Sequence, residues 1–137
     1  MTLSDQELRE LLQESRTIAV IGLSPNPMRP SNSVSQYMQR SGYTIVPVNP
    51  GHGEILGEKS YRTLTDAARE HDIDIVNIFR RSEHVAPIVD EAIAIKPKLI
   101  WLQLGIVDHD AQERAAAAGV PFIMDHCLAI EHGRLKD

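Results

Sequence analysis

Hydrophobic positions along the chain change their period several times, and each change marks an element. Leu8, Leu11 and Leu12 form an apolar stripe at helical spacing behind Ser4 and Glu7, which have the spacing of a capping box, so a helix is expected over residues 4–15. The run Thr17-Ile18-Ala19-Val20-Ile21-Gly22 is continuous and β-branched, the signature of a strand buried on both faces. The same signature returns at 43–48, 74–79, 98–103 and 120–124. Between these runs the spacing reverts to that of helices at 31–41, 64–71, 85–93 and 108–118, with Gly42 and Gly119 in the position of helix stops. Ser82 is expected to cap the helix that carries Val85, Ile88, Val89, Ala92 and Ile93, in which Pro87 is tolerated near the first turn. Residues 125–135 read as a final helical or irregular segment.

Each strand-to-strand crossover contains a helix, which predicts a parallel sheet covered on both faces. The expected fold is α/β: a Rossmann-like three-layer domain spanning 1–137, with a mostly parallel sheet of five main strands plus a short edge strand near 59–61. That edge strand suggests the order 3-2-1-4-5-6. The periodicity leaves the order 2-1-3-4-5 open.

Composition narrows the function classes. The 137 residues fit one domain, and 42% hydrophobic with 24% charged residues is ordinary for a globular chain. Fourteen Lys and Arg against nineteen Asp and Glu give a net charge of −5, which argues against sequence-independent nucleic-acid binding. A single cysteine, Cys127, excludes an intrachain disulfide framework and fits a reducing compartment. The opening MTLSDQE is unlike a targeting peptide, and no apolar run approaches the ~20 residues of a membrane span, so a cytoplasmic location is expected.

Ligands of such sheets bind beyond the carboxyl ends of the strands, next to strand one. Gly22 to Pro30 holds three prolines and aims a helix start at that edge, where backbone N–H groups, Ser24, Arg29 and Ser31 suit a phosphate. Arg80 and Arg81 follow another buried strand at the same edge, and guanidiniums there suit phosphate as well. Arg80 reads equally as a solvated side chain, and Arg81 is better explained as solvated or paired with Glu83 or Asp90. Gln103 and Gly105 offer an amide side chain and an unhindered backbone to an amide-bearing ligand, whereas Trp101 belongs to the core.

Several chemistries lack their residues. No G-x-G-x-x-G follows strand one, and strand two ends in Val48-Asn49-Pro50 without the acid that accepts NAD ribose hydroxyls. A Walker loop is absent, as is the acidic cluster of a response regulator. His126, Cys127, Glu131 and His132 match no zinc signature, and they read as a buried thiol with surface histidines. No catalytic or metal-ligating residue is assigned.

The stretches TIAVIGLSPNPMRPSNSVSQYMQRSGY, PVNPGHGEILGEKSY, DIVNIFRRSEHVAPIVDEAIAI, WLQLGI and MDHCLAIEH, in this order, resemble the small stand-alone CoA-binding proteins. Their domain is similar to the amino-terminal CoA-binding domain of the succinyl-CoA synthetase alpha subunit. The resemblance implies coenzyme A, or an acyl-CoA, as ligand. It implies phosphates held by Gly22, Ser24, Arg29 and Ser31, an adenosine side lined by Val48, Asn49 and Pro50, and a pantetheine arm bordered by Phe79, Arg80, Gln103 and Gly105. His126 stands where the family often has Arg, and Asn77 where it often has Asp.

The synthetases add a domain with a phosphorylated histidine and a nucleotide-binding subunit, neither of which 137 residues supply. Synthetase activity is therefore not inherited with the fold. The expectation is non-enzymatic CoA binding, with a carrier, sensor or acyl-CoA enzyme partner role. The alternatives are an acyl-CoA- or nucleotide-dependent enzyme and an atypical NAD-binding sensor.

Overall fold

The computed structural model describes residues 3–136. The chain enters through α1 (Asp5–Glu14), whose Ser4 and Glu7 form the expected reciprocal capping box. The central sheet is built from β1 (Thr17–Ile21), β2 (Thr44–Val48), β5 (Ile75–Ile78), β6 (Leu99–Leu102) and β7 (Phe122–Ile123), in the order β2-β1-β5-β6-β7. Every pairing among them is parallel. The crossovers are α2 (Pro30–Arg40), α3 (Leu64–Glu70), α4 (Val85–Ile95) and α5 (His109–Ala117), and α6 (Leu128–Leu135) follows β7.

Because neighbouring residues of a strand face opposite ways, the buried runs feed two separate cores. Ile18 and Val20 of β1 point into a core shared with α1, α2 and α6. Ala19 and Ile21 point into the other, shared with α3, α4 and α5. Trp101 is wholly buried in the first of these, as its sequence context suggests, and its indole Nε1 donates to the carbonyl of His126 at 2.8 Å. That bond satisfies the ring's one polar atom and anchors the chain just before α6.

Two expectations are corrected at the level of elements. The edge strand near 59–61 is a single parallel bridge between Val48 and Tyr61. Ahead of it, β3 (Glu54–Ile55) and β4 (Glu58–Lys59) form an antiparallel hairpin of their own. Leu56 and Gly57 both take positive φ, the conformation of a two-residue hairpin turn, so the backbone there pairs with itself, and a bridge to β2 follows at Tyr61. The sheet proper therefore reads 2-1-3-4-5, with Tyr61 occupying the outer position expected of the edge strand. Ser82, in turn, does not cap α4. It begins a 3-10 turn, Ser82–His84, and its hydroxyl oxygen accepts the N–H of Val107 at 3.1 Å. That bond joins the loop after β5 to the loop after β6.

Candidate functional site

The carboxyl ends of β1, β5 and β6 open onto two adjoining cavities. The smaller, about 370 Å³, lies beside the loop after β1 and is bounded by Gly22, Ser24, Arg29, Pro30, Ser31 and Phe79. The larger is a cleft of about 610 Å³ that runs between the start of α2, the loops after β5 and β6, and the start of α6. Pro30 and Phe79 line both, so the two meet across that pair.

Gly22 makes the first cavity. Its φ is +83°, and its N–H donates to Val48 O at 2.9 Å while the chain turns sharply off the strand. The loop beyond it is held by its own side chains. Ser31 Oγ accepts the Ser24 N–H at 3.0 Å, Ser24 Oγ accepts that of Asn26 at 3.1 Å, and Asn26 Oδ1 accepts that of Met28 at 2.9 Å. Asn32 Nδ2 donates to Ser24 O at 2.9 Å. This bracing changes the expected character of the phosphate site. With Pro25, Pro27 and Pro30 lacking an N–H, and the Asn32 and Ser33 amides bonded to Arg29 O, only the Leu23 and Ser31 amides of the segment 23–33 donate to no other described group. The positive charge of an anion site here would rest mainly on side chains.

Arg29 lines the smaller cavity and Arg80 the cleft. Arg29, the residue before α2, and Arg80, just past β5, are exposed, and neither forms an ion pair with a described residue. Arg81 behaves as the bland reading expects, exposed and 4.0 Å from Glu83, while Asp90 is taken by Arg114.

The strand-two residues lie apart from both cavities. The Val48 side chain belongs to the core under α3, α4 and α5. Asn49 works within the chain: its Nδ2 donates to Leu23 O and its Oδ1 accepts the Gly51 N–H, each at 2.9 Å. It thereby ties the loop after β2 to the loop after β1. Pro50 is exposed beside it.

At the cleft, Gln103 is buried, with 4% of its surface exposed, and its Oε1 accepts the N–H of Leu128 at 2.9 Å. The amide expected to meet a ligand therefore spends its oxygen on the first residue of α6. Gly105, at φ +80°, donates its N–H to Asp125 Oδ1 at 2.8 Å, and Asp125 itself has a φ of +61°. These two bonds, with that of Trp101, fix the start of α6 against the end of β6.

Cys127 is the main residue that sequence reasoning missed. It is half-buried at the head of α6 and lines the cleft. Nothing in its local spacing signals this, because the cleft wall forms only when α6 docks beside α2. Val34 also lines the cleft, and here a signal existed: it stands four residues after Pro30 on one face of α2. The histidine and glutamate that follow Cys127 on α6 point to other partners. His132 Nδ1 meets the Tyr37 hydroxyl at 3.0 Å, and Glu131 pairs with Arg134. Among the described residues no group of three His, Cys, Asp or Glu side chains is arranged to hold a metal ion.

The sequence matches the model of the CoA binding domain over residues 16–133. The chain belongs to the CoA binding domain family. It is 41% identical over 133 residues to the uncharacterized protein YneT of Bacillus subtilis, covering 97% of each chain. The solved structure of cell-free ID.343 from Thermus thermophilus superimposes with a TM-score of 0.93 at 38% identity, over 98% of this chain and 100% of that one. The dinucleotide-forming acetyl-coenzyme A synthetase 1 of Ca. Korarchaeum cryptofilum is similar over 85% of this chain and 27% of its own, with a TM-score of 0.74 at 20% identity. That last likeness establishes a shared fold. Membership of the CoA binding domain family supports CoA as the class of ligand, and no described helix is long and apolar enough to cross a membrane.

Proposed function

We propose that this chain is a single-domain, non-enzymatic coenzyme A-binding protein of the cytoplasm. Its phosphates would sit beside Gly22, Ser24, Arg29 and Ser31, and its pantetheine arm would run past Phe79 between Arg80, Gln103 and Gly105. The adenosine would lie toward the Val48-Asn49-Pro50 side, where Pro50 is the exposed member. The observation that carries this reading is the junction of the two cavities at Pro30 and Phe79. One end carries arginine and free amide N–H groups, and the other is a longer cleft with mainly apolar walls. A ligand with an anionic head and a long, weakly polar arm matches that sequence of environments. Any reaction would then belong to an acyl-CoA enzyme partner.

Calorimetric titration with CoA, dephospho-CoA, NAD and ADP tests the reading. CoA is expected to bind, and loss of the 3′-phosphate to weaken it. Absence of heat with CoA at high micromolar concentration, or preference for NAD, overturns it.

A further inference from the structure

Apolar side chains collect at the carboxyl edge of the sheet more than the core requires. Met28, Leu104 and Val107 are 87%, 61% and 36% exposed, and all three stand on loops that border the proposed ligand site. Ile130 is the remaining large apolar side chain held in the open among the described residues. Exposed apolar surface gathered around a cleft marks a place where something apolar binds.

One flank of the cleft has the same character. Val34, Leu104, Ile106 and Cys127 line it along the start of α2, the loop after β6 and the start of α6, while Arg80, Arg81, Ser82 and Glu83 line the side of the loop after β5. Several polar atoms beside that flank are already committed. Gln103 Oε1 is bonded to the Leu128 N–H, and Ser82 Oγ to that of Val107. The Gly105 N–H is bonded to Asp125. A polar chain end entering there would lose water without finding these partners, whereas methylene groups would gain by leaving water.

Resting on the CoA reading above, we propose that the preferred ligand is an acyl-CoA. Its acyl chain would lie on that apolar flank of the cleft against Val34, Ile106 and Cys127, with Leu104 at the rim. The apolar rim is then half of the binding surface, covered when the thioester is bound. The protein would select acylated over free CoA, as suits a carrier or sensor of acyl groups.

The test is a titration series of CoA, acetyl-CoA, butyryl-CoA and hexanoyl-CoA on the whole chain and on Leu104→Ser, a rim substitution at an exposed position that leaves the core intact. Affinity is expected to rise about three- to fourfold per methylene buried, until the cleft is full. Leu104→Ser is expected to flatten the dependence of affinity on chain length. Cys127 is the chain's one cysteine, so its alkylation rate gives an independent reading of occupancy. Hexanoyl-CoA should slow alkylation more than desulfo-CoA, which lacks both thiol and acyl chain. If CoA binds and the series is flat or falls with chain length, this inference fails while the CoA reading stands, and the rim belongs to a macromolecular partner. If no member of the series binds, both fail together.

Discussion

A Cβ built on Gly22 would lie 2.6 Å from the carbonyl oxygen of Phe79 and 3.0 Å from the Arg80 side chain. The turn off β1 and the exit of β5 therefore interlock through the absence of one carbon atom. The same contact brings the first cavity and the cleft to a common wall at Phe79. Gly22→Ala should destabilise the chain by about 1–3 kcal/mol from the left-handed backbone alone. Displacement of residues 79–80 should weaken CoA binding as well. Urea unfolding and CoA titration of the same variant check both effects. An unchanged midpoint would show that the turn relaxes without loss.

Because the loop after β1 consumes most of its own amide N–H groups, the arginines should dominate the electrostatics of binding. Arg29→Ala and Arg80→Ala are each expected to weaken CoA binding by about 1–3 kcal/mol, the range for charge-assisted hydrogen bonds to phosphate. Arg81→Ala, with its exposed contact to Glu83, should change little. Equal affinities across all three variants would move the phosphates elsewhere.

Gln103→Met would keep the volume near the cleft floor while removing the acceptor of the Leu128 N–H. Leaving that buried donor unsatisfied should cost about 1–3 kcal/mol of stability. Faster hydrogen exchange at the start of α6 should accompany the loss, because Gln103 secures that helix end. Exchange unchanged throughout α6 would show that the bond of Trp101 to His126 O suffices.

His132 packs edge-on against Tyr37 and Tyr43, and burial, with a smaller contribution from nearby Lys136, holds its imidazole below the ordinary value of 6.5. The unfolded chain therefore takes up the proton more readily than the folded one. Stability present at neutral pH is lost as the pH falls through the ordinary histidine value toward the depressed one. Between pH 7.5 and 5.5 the wild-type urea midpoint should drop further than that of His132→Gln. Parallel pH dependences in the two proteins would remove this residue from the account.

Much of the fold was legible because its signals are local. Ser4 and Glu7 specify their capping box within one turn, and the β-branched runs of β1 and β5 declare burial on both faces without reference to any partner. The edge strand was misjudged because Leu56 and Gly57 commit the segment to its own hairpin, a choice of pairing partner that composition does not reveal. Ser82 shows the same limit: its hydroxyl is equally suited to a helix cap or to a distant amide, and Val107 comes within reach only after β6 is in place.

At the site, the chain order by itself determined which loops would meet beyond the strand ends, since parallel crossovers deliver every strand's carboxyl end to one edge of the sheet. Gly22, Ser24, Arg29, Ser31, Arg80, Gln103 and Gly105 were located by that rule, and Phe79 by the family resemblance; all border at least one of the two cavities, whereas Val48, Asn49 and Pro50 do not. Tertiary structure alone decided what each of them has left to offer. The Gln103 oxygen and the Asn49 amide are spent on Leu128, Leu23 and Gly51, and Cys127 comes to the cleft wall only through the docking of α6. Periodicity is a property of neighbouring residues and survives in the sequence. A hydrogen bond between residues twenty-five positions apart, such as that of Gln103 with Leu128, is a property of the packed chain.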